Sequence, residues 1–383
     1  MAMGWDSVIG QTALKKQLVE LIAHNRLSHA LLFLGREGSG SLPLAIAFAQ
    51  YLVCEKTQDQ ALEVPCGECA ACTKATQLVH PDIHFSYPTV TKKPGEKPIA
   101  TDFINEWREF IKVNPYGNLF DWIELIKEKE NSQGKITAEE CNDIIRKLSL
   151  KSFESPWKVL VLWLPELMGN EGNKLLKLIE EPPANTLLIL VSENEAALLP
   201  TIVSRCQLIK VPLLETAEIE QALIERNHTA APIAHQLAPL CEGSYREALQ
   251  LAQHAEEDWQ YLVREWLNAI IKTGPVAQTK WVEEISRLGR EKQKQFLRYF
   301  NHLLQQALHL RVLRDRHLIG EKEKDFAERL NRIAGIEQQE AIIQELDRAH
   351  YQIERNANAK ILFHALTIKL YHIIQDKVVF LVE

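Results

Sequence analysis

A glycine-rich segment with the spacing of a phosphate-binding loop is the strongest chemical signal in this chain of 383 residues. The loop pattern G-x-x-x-x-G-K-[ST] is matched by Gly35 and Gly40, with a further glycine at Gly38. In a working loop, a lysine then reaches the β- and γ-phosphates and a hydroxyl ligates Mg²⁺. This chain has Ser41 and Leu42 at those positions, and neither can do that work. The sequence therefore predicts a phosphate-loop frame without nucleotide chemistry, which favours a structural partner of ATPases over an ATPase.

Four cysteines form a second chemical group, Cys54, Cys66, Cys69 and Cys72, with the spacing C-x11-C-x2-C-x2-C. Four thiolates suit tetrahedral Zn²⁺, and Gly67 allows the turn between two ligands to tighten. Four unconnected thiols and a redox C-x-x-C pair are the alternatives, but three cysteines at such short steps are rare by accident, and a pair would leave two cysteines unexplained. Because all four positions are filled, the metal would be structural rather than catalytic. The other cysteines are predicted to be ordinary buried residues: Cys141, Cys206 and Cys241.

Helical and strand-like segments alternate through residues 1–212. A buried strand over 29–35 runs into the glycine loop and a helix over 42–53 follows, which is the context that a phosphate loop requires. The alternation predicts an α/β domain with a parallel sheet covered by helices on both faces. The other predicted elements are a helix over 12–24, strands over 158–164, 187–191 and 207–211, and helices over 103–113, 121–130, 137–148 and 170–181.

Beyond these residues the strand signals stop, and the rest of the chain is predicted to be helical. Residues 213–275 are predicted to form a small domain, Gly274-Pro275 a linker, and residues 276–383 a domain of long amphipathic helices. Within the α/β part, 88–134 is a polar insertion, and its portion 92–98 is predicted to be an exposed, mobile loop. The sequence leaves the role of the insertion open.

The composition is that of an ordinary globular protein, with 46% hydrophobic and 25% charged residues. A formal net charge of −7 argues against a strong free-standing grip on DNA or on an anionic membrane. No apolar run is long enough to span a membrane, and the N-terminal residues lack the apolar region of a signal peptide. With four of the seven cysteines clustered, the sequence predicts a reducing, cytoplasmic location.

Several motifs in combination resemble the bacterial clamp-loader subunits of the AAA+ class. Each motif is modest, but together they span nearly the whole chain and their combination is specific. They are the segments 5–11, 29–35 and 173–183, the cysteine cluster followed by His80-Pro81-Asp82, the tripeptide Ser204-Arg205-Cys206, and the segments 243–248 and 356–360. The resemblance implies a RecA-like AAA+ parallel-sheet domain (1–212) with a zinc module (54–72), a small helical lid (213–275), and a C-terminal helical collar (276–383) that joins a ring of subunits.

The resemblance also exposes a second departure from a working ATPase. In the family, an acidic pair at the end of one strand holds Mg²⁺ and polarises water. Here that position falls within Leu162-Trp163-Leu164-Pro165, and none of these residues can ligate a metal or act as a base. Glu166 follows directly, but a lone carboxylate without the lysine is a weak substitute. ATP is therefore not expected to bind this chain.

Arg205 is the residue for which the resemblance implies a direct role. It would be an arginine finger that reaches the γ-phosphate bound by the adjacent ATPase subunit, with Ser204 and Cys206 fixing the turn. A guanidinium supplied in trans neutralises charge on the transferring phosphoryl group, and its planar fork suits this task better than an ammonium. The alternative is a surface arginine that ends a loop.

Other polar positions receive structural interpretations. Arg246 stands where a second-sensor arginine would contact nucleotide, but an ion pair between packed domains is favoured. Glu180-Glu181 is interpreted as a helix end before two prolines rather than a catalytic pair. His80 is interpreted as a loop or cap residue rather than a zinc ligand, and Lys158 as the solvated edge of a strand.

The sequence thus predicts a non-hydrolysing subunit of the sliding-clamp loader of a replicative DNA polymerase, with no enzymatic activity of its own. Its predicted partners are the ATPase subunits and a clamp-opening subunit, with the sliding clamp and primer–template DNA reached through the complex. Structural zinc is the predicted cofactor. Two alternatives stay open, an active AAA+ ATPase that tolerates a degenerate loop and a zinc-dependent DNA-binding protein.

Overall fold

Five parallel strands form one sheet in the first part of the chain. The computed structural model describes residues 4–59, 62–91, 95, 97–127, 132–253, 259–313, 321–355 and 357–377. The strands are β1 (Ala30–Leu34), β2 (Ile83–Ser86), β3 (Lys158–Trp163), β4 (Thr186–Ser192) and β5 (Gln207–Lys210). Their spatial order is β2-β3-β4-β1-β5. Every residue of β3 and β4 is buried, as expected for parallel strands that are covered on both faces.

Because the strands are parallel, their carboxyl ends all lie along one side of the sheet, called here the carboxyl edge, and their amino ends along the opposite side, the amino edge. β1 pairs with β4 from Ala30↔Leu188 to Leu34↔Ser192, and β5 runs beside it in the same direction. Segments that follow strands therefore gather at the carboxyl edge, and segments that precede strands gather at the amino edge. The phosphate loop follows β1 and lies at the carboxyl edge, whereas Arg205 precedes β5 and lies at the amino edge.

Helices cover both faces of this sheet. Leu31 and Phe33 of β1 face a core built around the almost wholly apolar α2, while Leu32 faces a second core on the other side. The predicted α/β architecture is therefore confirmed. The helices of this part are α1 (Thr12–Ala23), α2 (Ser41–Val53), α3 (Glu55–Asp59), α4 (Ala70–Thr76), α5 (Ile104–Val113), α6 (Leu119–Ile126), α7 (Ala138–Ser149), α8 (Leu176–Glu180), α9 (Pro200–Val203), α10 (Thr216–Asn227), α11 (Ala231–Leu237) and α12 (Tyr245–Gln253).

Two predicted elements differ from the structure. The single helix predicted over 170–181 is wrong, because a 3₁₀ segment spans Pro165–Leu175 and α8 covers only the residues that follow. Gly169, at φ 51°, interrupts that segment, and two glycines weaken an α-helix in any case. Strand β2 is absent from the prediction, since four residues are too few to show a periodic pattern.

Lys158 is buried rather than solvated, so that interpretation is also wrong. Its ammonium group donates to the backbone carbonyls of Leu148 and Leu150 at the C-terminal end of α7. The last carbonyls of a helix have no partner within the helix, and a lysine can satisfy them. Burial lowers the pKa of Lys158.

The insertion over 88–134 is a folded part of the α/β unit. α5 and α6 confirm the two helices predicted there. Of the loop predicted over 92–98, residues 92–94 and 96 lie outside the described residues, as do 128–130 of the helix predicted over 121–130. Trp107 of α5 and Trp122 of α6 are fully buried, so this segment contributes to the core.

Residues 253–383 form a second compact unit. Its core includes Trp266, which stacks on Trp281 with ring centroids 4.5 Å apart and contacts Phe363 of the last helix. The predicted helical character of this part is confirmed, and no helix in the described residues is long and apolar enough to cross a membrane. Its helices are α13 (Trp259–Asn268), α14 (Pro275–Ser286), α15 (Arg290–Leu313), α16 (Glu321–Ile333), α17 (Ile336–Glu354) and α18 (Ala359–Gln375), with a π-helical turn at Ala269–Thr273.

The predicted lid is divided between the two units. Residues 213–252 belong to the first unit, whereas α13 packs in the core of the second. Gly274, at φ 78°, precedes α14 within the second unit, so the supposed linker lies inside that unit. The division into α/β, lid and collar domains stays a prediction.

Candidate functional site

The phosphate loop connects β1 to α2, as the sequence predicts. Gly38 and Gly40 have φ values of 75° and 94°, conformations that favour glycine. The hydroxyls of Ser39 and Ser41 lie 3.0 Å apart, and a Cβ added to Gly35 would lie 2.2 Å from Ser41 Oγ. The loop is therefore filled by its own short side chains.

The cavity beside the loop is small. Its volume is about 20 Å³, little more than the about 10–15 Å³ that a single water needs. Tyr116 from the insertion covers Gly40, where an added Cβ would lie 3.0 Å from the tyrosine ring. The cavity lining also includes Trp163, Val191 and Glu193 from the ends of β3 and β4.

The position of the missing acidic pair is apolar in the structure as well. Its four residues are all buried at the end of β3: Leu162, Trp163, Leu164 and Pro165. Glu166 follows them, and its Oε1 accepts a hydrogen bond from the N–H of Glu193 at 3.2 Å. Glu166 therefore forms a hydrogen bond with the residue that directly follows strand β4.

The carboxyl groups of Glu37 and Glu166 interact electrostatically with that of Glu193 at this edge. Burial, together with the charges of Glu37 and Glu166, raises the pKa of Glu193 to about 8. Burial likewise raises the pKa of Glu166. Burial is the largest cause of both shifts, so this edge is poorly solvated and disfavours negative charge.

Arg246 forms the ion pair that the sequence favours. Its side chain is 2% exposed, and its Nε and Nη2 donate to the two carboxylate oxygens of Asp121 at 2.6 and 2.8 Å. Its Nη1 donates to Glu37 Oε1 at 2.7 Å. The pair joins α12 both to α6 and to the phosphate loop.

The four predicted cysteine ligands come together in the structure. Their sulfur atoms all lie within 4.8 Å of one another, and Cys66 Sγ and Cys72 Sγ are 3.9 Å apart. Tetrahedral Zn²⁺ with bonds of about 2.3 Å places its sulfur ligands about 3.8 Å apart, so the cluster fits a zinc ion. Gly67 has the positive φ of 72° that the tight turn requires.

Backbone groups support the same cluster. Cys54 Sγ, Cys66 Sγ and Cys69 Sγ each accept a backbone N–H at 3.4 Å, from Cys66, Cys69 and Cys72 respectively. Such donors stabilise thiolates, which are the form that binds metal. The histidine that might have competed, His80, is buried outside this group.

The Ser204-Arg205-Cys206 turn lies at the amino edge and is open to solvent. Arg205 Nε donates to Glu180 Oε1 at 2.5 Å, and these side chains are 36% and 46% exposed. Arg205 Nη1 also donates to the carbonyl of Thr201 at 2.9 Å. Ser204 shares that carbonyl, and Cys206 is half-buried beneath the turn, where burial raises its pKa to about 11.

The comparison with known protein families decides where the chain belongs. Residues 10–215, more than half of the chain, match the family model described as "DNA polymerase III, delta subunit". The chain belongs to this family. Within this family it resembles the delta′ subunits, and the family resemblance seen in its motifs is confirmed.

Individual relatives agree with the family match. The delta′ subunit of Bacillus subtilis is 27% identical over 259 residues, which cover 67% of this chain and 64% of that protein. The delta′ subunit of Pseudomonas aeruginosa is 30% identical over 204 residues, covering 53% and 48%. The tau subunit of B. subtilis is 24% identical over 314 residues, covering 79% and 46%. The chain thus spans from about half to just under two thirds of the lengths of these relatives.

Asp82 has a structural role that the sequence left unassigned. Its carboxylate accepts backbone N–H groups from Phe153, Glu154 and Ser155 at 2.5, 2.8 and 2.8 Å. Burial alone would raise the pKa of Asp82, but these three donors outweigh it and lower the pKa. The motif His80-Pro81-Asp82 could have indicated this role, because a carboxylate beside a buried strand needs hydrogen-bond donors.

Tyr116 and Asp121 are the residues of the site that sequence reasoning missed. Both lie in the insertion of this subunit, far along the chain from the phosphate loop. No local pattern marks either residue, because each acquires its role through a contact that only folding creates.

Proposed function

We propose that this protein is a non-hydrolysing subunit of a sliding-clamp loader, which assists ATP hydrolysis by a neighbouring subunit. The observation that carries the proposal is the 20 Å³ cavity at a phosphate loop that lacks its lysine. Little space and the missing lysine both disfavour a triphosphate with Mg²⁺ there. ATPase subunits and a clamp-opening subunit are the proposed partners, and clamp and primer–template DNA are reached through the complex.

The proposed contribution to catalysis is Arg205, acting in trans. Its guanidinium is exposed, and its interaction with Glu180 is an exposed ion pair, which costs little to break. A γ-phosphate presented by an adjacent subunit would be a stronger partner, since it carries more charge and accepts two hydrogen bonds from the fork. Charge developing on the phosphoryl group would then be neutralised by Arg205.

The test is the ATPase rate of the loader reconstituted from this subunit and its ATPase partners. Loss of an arginine finger costs about 10³-fold at the site that it completes. We expect Arg205→Ala to show that loss and Arg205→Lys to recover part of it. Arg36→Ala is the matched control, because Arg36 is also exposed but belongs to the phosphate loop.

The two variants separate the possible outcomes. Unaltered turnover with Arg205→Ala refutes the finger. A loss with Arg36→Ala, together with Mg²⁺-dependent ATP binding by the isolated chain, favours an active ATPase instead.

The second part of the proposal is structural zinc at Cys54, Cys66, Cys69 and Cys72. The ion would cross-link the end of α2 to the start of α4. We expect about one zinc per chain. Cys72→Ser is expected to lower zinc content and the unfolding temperature, whereas Cys241→Ser, a buried cysteine outside the cluster, should change neither the zinc content nor the cluster. Fully folded, metal-free wild-type protein would contradict this assignment.

A further inference from the structure

The segment 97–127 packs where a nucleotide would otherwise approach the sheet. Trp107 stacks on Tyr87 with ring centroids 4.1 Å apart and contacts Trp163, at the end of β3, at 5.5 Å. Trp122 lies edge-on to Trp107 at 5.4 Å, and its Nε1 donates to the carbonyl of Pro88 at 2.7 Å. Buried aromatic contacts of this kind stabilise the packing of the segment against the sheet.

Tyr116 occupies the mouth of the phosphate loop and contacts α12, which belongs to the predicted lid. Its hydroxyl accepts a hydrogen bond from the N–H of Ile9 at 2.7 Å, and its ring meets the ring of Tyr245 edge to face at 5.1 Å. Tyr245 is the first residue of α12, and its N–H donates to the carbonyl of Gly38 at 3.1 Å. One side chain from the insertion thus touches both the loop and the lid helix.

Asp121 supplies Arg246 with an oriented anion. It lies in the first turn of α6, where Asn118 caps the helix. Asn114 Nδ2 and the N–H of Asn118 donate to its Oδ2 at 3.1 and 3.2 Å. Burial opposes ionisation of Asp121, but Arg246 and these donors outweigh that effect and lower its pKa.

We propose that the segment 97–127 is an internal substitute for nucleotide, which locks the lid residues 213–252 onto the sheet. Asp121 gives Arg246 the bidentate acceptor that a phosphate would give, and Tyr116 fills the space above the glycine loop. The position of the lid is then set by the chain itself and does not respond to ATP. The inference rests on the proposed function only in taking this pocket to be free of nucleotide.

Backbone hydrogen–deuterium exchange of the full chain tests the lock. Asp121→Asn keeps the size of the side chain but removes its charge. We expect the amides of α12 and α10 to exchange at least about tenfold faster in this variant. The reason is that removing one partner of a buried ion pair is strongly destabilising. Amides of β3 and β4 should keep their wild-type rates. Asp143→Asn is the matched control, because Asp143 is also buried and paired, with Arg146 and Lys147 on α7.

A double-mutant cycle guards against general destabilisation. If Asp121 acts through Arg246, Arg246→Gln combined with Asp121→Asn should loosen the lid no more than either change alone. Three outcomes would each overturn the lock. The first is a wild-type rate of lid exchange in Asp121→Asn, and the second is additive effects in the double variant. The third is an equal acceleration of lid exchange in the Asp143→Asn control.

Adding Mg-ATP separates this inference from the proposed function. We expect millimolar Mg-ATP to leave lid exchange of the wild-type chain unchanged. Protection of the lid amides by ATP would contradict a nucleotide-free pocket. Unchanged lid exchange in Asp121→Asn would contradict only the lock and would not affect the role proposed for Arg205.

Discussion

The phosphate loop and the Ser204-Arg205-Cys206 turn lie at opposite edges of one sheet and differ in what can reach them. The loop is covered by Tyr116 and borders a cavity of about 20 Å³, whereas the Arg205 side chain is 36% exposed. An internal site that loses its chemistry can be absorbed into the core, where packing favours filled space. A residue that acts on a neighbouring subunit has to stay on the surface, held by interactions weak enough to be exchanged.

The arginines of the two regions show the same difference in energy. Arg246 is buried against two carboxylates, and removing one partner of such a pair costs about 3–5 kcal/mol. Arg205 pairs with Glu180 in solvent, where an ion pair contributes about 0–1 kcal/mol. The first arginine is therefore suited to fixing structure, and the second is suited to changing partner.

The largest effect, on the free energy of unfolding, is expected for the aromatic core beside the phosphate loop. Trp107 is fully buried against Tyr87 and Trp163, so Trp107→Ala should lower the free energy of unfolding by about 3–5 kcal/mol, measured by urea titration. Phe120→Ala, at an exposed position of the same insertion, is the control and should change it by less than about 0.5 kcal/mol. Equal effects of the two changes would mean that the insertion is not part of the core.

The next effect is a pH dependence at the carboxyl edge. The pKa of Glu193 is raised from 4.5 to about 8, so the folded chain holds a proton there that the unfolded chain releases. Stability contributed by this group is present below pH 4.5 and is lost as pH rises towards 8. Glu193→Gln should gain stability over wild type by up to about 1.4 kcal/mol for each pH unit in that window.

The control for this pH dependence is Glu195→Gln, at an exposed position two residues further on. Its stability difference from wild type should stay constant between pH 5 and 8 in thermal or denaturant unfolding. A constant difference for Glu193→Gln as well would show that the carboxyl edge does not disfavour negative charge.

A smaller effect is expected at the open edge. Glu180→Gln removes the exposed partner of Arg205, so the free energy of unfolding should change by less than about 1 kcal/mol. The ATPase rate of the reconstituted loader should stay the same or rise, because the guanidinium is released for the neighbouring phosphate. A loss as large as that of Arg205→Ala would instead make Glu180 a residue that positions Arg205.

The smallest effect is expected for ATP binding after the phosphate-loop sequence is restored. Ser41→Lys combined with Leu42→Thr restores the loop sequence, yet we expect no ATP binding by titration calorimetry, because Tyr116 still fills the pocket. Thermal unfolding of the same sample shows whether the variant is folded. Mg²⁺-dependent binding by this variant would place the cause of inactivity in the missing lysine alone.

Much of the fold could be predicted from local patterns. β1, α2 and the buried β3 and β4 follow from apolar runs and their spacing, and the cysteine steps predicted a cluster that the structure brings together. Short or glycine-interrupted elements were not predictable in this way, since β2 has four residues and the segment after Pro165 contains Gly169 and Gly172. Their conformations depend on neighbours rather than on their own sequence.

What the sequence by itself determined is which chemistry is missing and which is available: Ser41 and Leu42 in the loop, four thiols at metal spacing, and Arg205 in its turn. These depend on residue type and short-range spacing, which the chain carries whatever its fold. Only the tertiary structure decided that Tyr116 closes the loop, that Asp121 holds Arg246, and that Lys158 satisfies a helix end. Those roles arise from contacts between residues far apart in sequence, and such contacts leave no periodic trace in the chain.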